Sequence, residues 1–385
     1  MRTFILSAII CYSLFNTSTY AQQASEGTVS TTPMGKTGDA GKSTEKEISV
    51  EVNAGKSDIF LDNNSRTIEI KTWNQPKVKI STKVYIDGPT TLTNEQWLEK
   101  LNLTVKQAGG IVHITSRPIS SDAVTVFIPE GNKLEIDNQY GKLELTSNLQ
   151  NVTIKSTNGS IEAGDINRLI IRSKYTPFVL GNVKDAEIEM LNGRLKAGNI
   201  DKLDIDSKYA TIEIASANDI TLRSTNDEYE IENAGDVKGR KTYGSLRIYN
   251  LKASIDIEGV NADIKIKNLN PTVKAINIDN KYADIRLPLK NIKNYEVKFI
   301  GRYNTVYAPF EKKPLADTAH KSTASRASAA GVGAQGYSNA GGDGRSDVSY
   351  SDATDANGFV AEVGNIKGKH TRFIINCESC TVDFK

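Results

Sequence analysis

A fixed period constrains this chain more than any other feature. Between Leu134 and Ile248 a short pattern returns: apolar, polar, apolar, a polar turn, then apolar, polar, apolar. Its third residue falls at Ile136, Ile154, Ile171, Ile188, Ile205 and Leu222, in steps of 18, 17, 17, 17 and 17. Self-similarity at such a period marks a repeat architecture. In the copy Leu203–Ile214, alternation puts Leu203 and Ile205 on one face and Asp204 and Asp206 on the other; Ile212 and Ile214 repeat this after a turn. The runs are too short for helices and of normal length for strands.

A second corner carries Leu149, Ile166, Val183 and Ile200, again 17 apart, beside Gly, Asn or Asp. One winding then holds two short strands and an apolar corner. It cannot bury its apolar edge alone, but stacked windings can. The first corner alternates in type. Tyr175, Tyr209 and Tyr243 lie 34 apart, Tyr140 is one residue off that grid and Tyr282 is a later echo. Between them come Asn158-Gly159, Asn192-Gly193, Asn226-Asp227 and Asn261-Ala262, pairs that favour tight left-handed turns. Spacing leaves open whether one coil spans the single step or the double step between tyrosines.

The ends of the chain read differently. Met1–Ala21 has a basic Arg2 and an apolar run too short to span a bilayer, the pattern of a signal peptide. Cys11 lies inside that run, where a lipid anchor is not expected. Residues 22–45 read as a disordered linker, 46–310 as the solenoid, 311–357 as a low-complexity disordered insertion and 358–385 as its last coil. Thr93–Leu101 interrupts the early strands as one short helix, with Thr93 and Gln96 placed for a capping box. That helix is expected to cover an open end of the stack.

Composition excludes some functions. A net charge of +2 over 385 residues gives no footprint for nucleic acid. Three His and three Cys leave little for a metal site, so neither metal nor cofactor is expected. No segment of the mature chain is long and apolar enough to cross a membrane.

Ile68-Glu69-Ile70-Lys71-Thr72-Trp73, the helical interruption, Phe127-Ile128-Pro129-Glu130-Gly131 and the coils from Ile136-Asp137-Asn138 together resemble the bacterial adhesin-type β-strand-repeat family. The resemblance covers Ile48 to Tyr307 and the final coil, and residues 311–357 depart from it. It implies an exported or envelope-facing right-handed parallel β-helix of largely unknown function, with no catalytic residues to carry over. The fold class is thus all-β, a right-handed parallel β-solenoid with coils of about 17 residues and one helix near its N-terminal end.

Five groups of residues are candidate sites. Cys377 and Cys380 occupy the positions of Ser207 and Ala210 about a tight turn. In an oxidising setting that spacing favours a disulfide staple over a redox dithiol. Tyr140, Tyr175, Tyr209 and Tyr243 read first as rings stacked on one another along a corner and second as a face that stacks on a ligand. Lys174, Lys208 and Lys281 precede such tyrosines and read as solvated edge lysines, with a basic stripe for anionic glycan as the sharper reading. Asn158, Asn192 and Asn226 read as a ladder of amides bonding backbone, and Thr318, in Asp317-Thr318-Ala319, as a glycosylation site.

The expected function is a non-catalytic structural or adhesin-like binding module of a Gram-negative envelope, periplasmic or at the surface. Its partners would be an envelope or host glycan, or another envelope protein. The alternative is a polysaccharide lyase or glycosidase on the same scaffold. Such enzymes need paired acid and base groups on one flank, and here Asp204, Asp206 and Glu213 look like outward halves of strands.

Overall fold

In the computed structural model, residues 43–117, 123–315 and 358–385 are described. The expected signal peptide, Thr318 and nearly all of the linker and the insertion lie outside them. The described part is all β apart from one helix, and its strands stack as in a solenoid.

Leu149–Thr157 pairs in parallel with Ile166–Lys174, one period further on, so that Ile154 faces Ile171. The same step sets Ile171 beside Ile188, Ile188 beside Ile205 and Ile205 beside Leu222. After each first corner a shorter strand repeats the pairing, Ser160–Ala163 on Pro177–Leu180 and that strand on Arg194–Ala197. The inward side chains therefore queue in columns. Ile136, Ile154, Ile171, Ile188, Ile205 and Leu222 are all 1% exposed or less. Each such burial is worth about 1.5–3 kcal/mol.

The outward positions are mostly charged, and many pair across windings. Arg168 meets Asp185 at 2.8 Å, and Arg223 reaches Asp204 at 2.9 Å and Asp206 at 3.5 Å. Arg194 pairs with Glu213, and Arg247 with Glu230. Exposed pairs contribute at most about 1 kcal/mol each.

Both ends of the stack break sequence order in the same way. At one end Asp58–Asn64 lies between Ile111–Ser116 and Lys133–Gln139, so the first winding is second in space. At the other, Thr371–Glu378 lies between Ala275–Lys281 and Tyr295–Arg302. The winding that ends the sequence is clamped on both sides. Antiparallel strands then cover each end: Leu103–Ala108 on Ile111–Ser116, Lys77–Ile86 on Val124–Pro129, and Gly358–Val363 on Tyr295–Arg302. Covering in this way shields the edges of the parallel windings.

The helix spans Asn94–Lys100. The Gln96 N–H donates to Thr93 Oγ1 and the Thr93 N–H to Gln96 Oε1, the reciprocal capping box. Leu98 is buried, and Asn94 Nδ2 donates to the Ser49 carbonyl at 2.9 Å, tying the helix to the strand Thr44–Asn53 of the cover.

Candidate functional site

The first corner is the most regular feature of the stack. Tyr140, Tyr175, Tyr209, Tyr243, Tyr282 and Tyr303 all have positive φ, between 54° and 62°. Ser65, Asn158, Asn192, Asn226, Asn261 and Ser379 occupy the same corner, with φ between 51° and 63°. One hydrogen bond repeats along it. The corner N–H donates to the carbonyl just before the next corner: Tyr140 to Thr157 at 3.0 Å, Asn158 to Lys174 at 3.1 Å, Tyr175 to Leu191 at 2.9 Å and Asn192 to Lys208 at 2.9 Å.

In space the corners run Ser65, Tyr140, Asn158, Tyr175, Asn192, Tyr209, Asn226, Tyr243, Asn261, Tyr282, Ser379, Tyr303. Tyrosine alternates with a small polar residue throughout. In sequence Tyr303 follows Tyr282 directly, and only the winding that carries Ser379, inserted between them, restores the order. Left-handed backbone costs an L-residue about 1–2 kcal/mol, and only Gly, Asn and Asp adopt it readily. Asn suits the corner on those grounds and Tyr does not. Six tyrosines nevertheless hold it, with exposures of 50% at Tyr243, 55% at Tyr175, Tyr209 and Tyr282, 62% at Tyr140 and 86% at Tyr303.

Alternation corrects the expectation that these rings stack on one another. Successive tyrosines stand two windings apart, about 9.6 Å at normal strand spacing. Ring contacts need centroids within about 7 Å. The amide ladder is also elsewhere. Asn158, Asn192 and Asn226 serve the corner through their φ. The bonding amides are Asn182 and Asn199 at the second corner, where Asn199 Nδ2 donates to Asn182 Oδ1 at 2.8 Å, and Asn63, Asn138 and Asn280 inside the first. Asn138 Nδ2 donates to the Gly141 carbonyl at 2.9 Å, and Asn63 Nδ2 to the Arg66 carbonyl at 2.8 Å. The backbone there is packed so closely that a Cβ on Gly141 would collide with Asn63 Nδ2.

The same inner column holds a charged cluster that sequence reasoning missed. The Asp227 carboxylate accepts from Ser224 Oγ at 2.7 Å, Ser207 Oγ at 2.8 Å, the Ala210 N–H at 2.7 Å and the Thr225 N–H at 3.1 Å. Lys241 Nζ donates to Ser224 Oγ at 3.0 Å and to the Asp227 carbonyl at 2.8 Å, and stands 5.2 Å from the centre of the Tyr229 ring. Burial pushes the Lys241 ammonium down to about 8 and the Tyr229 phenol up. Lys241 and Tyr229 are 0% exposed, so both are shut away from solvent inside the stack. Asp227 reads in sequence as a turn residue, which hid it; Lys241 standing one period after Ser224 was the available signal.

Cys377 and Cys380 bridge the corner of the inserted winding, with their Cα atoms 6.0 Å apart. They stand in register with the inner column, Cys377 opposite Asn280. His113 packs edge-on to Phe60, and His370 places Nδ1 2.9 Å from the Gly368 carbonyl and Nε2 3.8 Å from Glu296.

The sequence over residues 56–332 matches the Toastrack DUF4097 family. The chain belongs to that family. This agrees with the adhesin-type resemblance drawn from the strand repeats. Three solved structures are similar to the chain at low identity. A candidate adhesin from Parabacteroides merdae is 10% identical, covering 61% of this chain and 94% of its own, with a TM-score of 0.34. A candidate cell adhesion protein from Clostridium sporogenes is 12% identical over 89% of this chain and 99% of its own, with a TM-score of 0.19. A candidate lipid binding protein from Parabacteroides distasonis is 13% identical over 62% and 95%, with a TM-score of 0.28. No curated protein matches the chain. Among the described residues no helix is long and apolar enough to cross a membrane.

Proposed function

We propose that this Toastrack protein is an exported envelope module that binds a partner along its first corner and transforms nothing. The reading includes a right-handed parallel β-helix with coils of about 17 residues, in line with the step in strand register. The observation that carries it is the unbroken alternation of exposed tyrosines in a backbone conformation that disfavours them. Strain of this kind collects where function maintains it. A stacked scaffold also presents its contacts already ordered, which lowers the entropy lost on binding.

Export is supported by the basic start and apolar run of Met1–Ala21 and by the cysteine pair at the last corner. A periplasmic or surface position in a Gram-negative envelope follows from that reading. Two measurements on the native protein test it. Cell fractionation with surface proteolysis should find the chain outside the cytoplasm, with a mature N-terminus near Gln22. Purified protein should sediment with isolated envelope and release no reducing or unsaturated sugar from it. A cytoplasmic chain retaining Met1, or sugar release, contradicts the proposal.

A further inference from the structure

We infer that the first corner is a binding stripe for an extended, β-linked acidic polysaccharide, a polyuronate in chemical class. This rests on the binding-module reading and names its ligand.

The spacing comes first. The exposed rings of Tyr140, Tyr175, Tyr209, Tyr243, Tyr282 and Tyr303 recur every second winding, about 9.6 Å apart along one line. In an extended β-linked chain each sugar is turned over relative to the last. The same apolar face therefore recurs at every second sugar, with a repeat of similar length. An aromatic ring with a polar tip suits such a face, since the ring covers the C–H groups and the hydroxyl stays wet. Asn and Ser at the intervening corners leave room for the sugar between and offer it hydrogen bonds.

The alternation belongs to the surface and not to the sequence. At the end of the stack it survives only because the winding with Ser379 enters between those with Tyr282 and Tyr303. A purely local turn preference has no means of producing that order.

Charge sets the class of sugar. The residue before the corner alternates over much of the stack. Exposed Lys174, Lys208 and Arg302 precede tyrosines, whereas half-buried Thr157, Leu191 and Thr225 precede asparagines. Gln139 and Thr242, before Tyr140 and Tyr243, are the neutral exceptions. Lys281 also precedes a tyrosine and meets Glu378 at 3.3 Å. Lys174 and Lys208 make no ion pair among the described residues, whereas Arg168, Arg194, Arg223 and Arg247 on the flanks are paired. Free ammonium groups beside the central rings suit a polyuronate, whose carboxylates alternate sides so that one per two-sugar repeat faces them. A depression of about 440 Å³ next to the Tyr282 and Tyr303 end of the line is of mixed charge, lined by Lys281 and Arg302 together with Asp279 and Glu378.

The test is calorimetric titration of the mature protein with β-linked polymannuronate oligosaccharides of increasing length, with neutral cello-oligosaccharides as control. Affinity should rise with each added pair of sugars and fall with salt. Y175N/Y209N/Y243N places at three corners the residue their neighbours already carry, so the fold is kept, and it should weaken binding at least about tenfold. K174Q/K208Q should weaken binding and flatten its salt dependence. Unchanged affinity in the triple variant, or equal binding of the neutral glycan, overturns the inference. Wild-type protein that ignores polymannuronate but still sediments with envelope removes this ligand and leaves the binding module standing. Binding with release of unsaturated ends keeps the stripe and removes the non-catalytic reading.

Discussion

The backbone N–H of Tyr282 donates to the carbonyl of Glu378 at 2.9 Å, although most of the C-terminal region separates them in sequence. That bond joins the last winding of the chain to one completed long before it. The Ser379 N–H continues the line to the Arg302 carbonyl at 2.9 Å. The end of the chain is thus held from both sides, and the corner it joins bears on stability in three ways.

Corner residues should sort by their tolerance of positive φ. Tyr209→Asn is expected to leave stability unchanged or raise it by up to about 1 kcal/mol, because Asn relieves backbone strain. Asn192→Val, which puts a β-branched residue at φ 51°, is expected to lose about 1–2 kcal/mol. Denaturant unfolding of both variants measures this. Equal losses would show that the corner conformation carries no strain.

The bridge at the inserted winding should act locally. Replacing Cys377 by Ser and Cys380 by Ala reproduces the residues of the Leu203–Ile214 coil. So short a loop predicts a loss of about 2 kcal/mol in the chain-entropy description. Hydrogen exchange should speed up in Thr371–Phe384 and in its neighbour Tyr295–Tyr307, and stay unchanged around Ile188 and Ile205. Uniform loss of protection would contradict a local staple.

Lys241 should make stability depend on pH. Its folded value, about 8, lies below the unfolded 10.5, so the fold favours the neutral amine. The unfolded chain then binds more protons between these values, and stability rises with pH across that window. Below about pH 8 the burden is fully present. The stability of wild type relative to Lys241→Met should therefore climb by about 3 kcal/mol between pH 7.5 and 10.5. Parallel profiles for the two proteins would contradict this.

The period and the inward columns are legible because every winding repeats one local pattern, and Ile154, Ile171 and Ile188 announce it. The helix is legible through Thr93 and Gln96. The order of windings is not. Ile375 and Val382 say that the last segment forms a winding, but all windings have the same cross-section. Nothing local says which one it pairs with. The tyrosines invite a ring-stacked reading because sequence gives their spacing along the chain and not the rise per winding. The Lys241 cluster stays hidden because Asp227 follows Asn226 in a pair that already explains itself as a turn. At the N-terminal end, Gly141 shows the same limit. Its lack of a side chain is required by Asn63, brought beside it by an out-of-order winding.

Spin-label distances between corners report on whether the windings stack along one line. Cysteine labels at Tyr175 and Tyr243, and at Tyr140 and Tyr243, sit four and six windings apart. Pulsed electron resonance should give about 19 Å and about 29 Å, a linear rise of roughly 10 Å per tyrosine. Distances that do not grow with the number of windings between labels would contradict a single stacked line of corners, and the stripe with it.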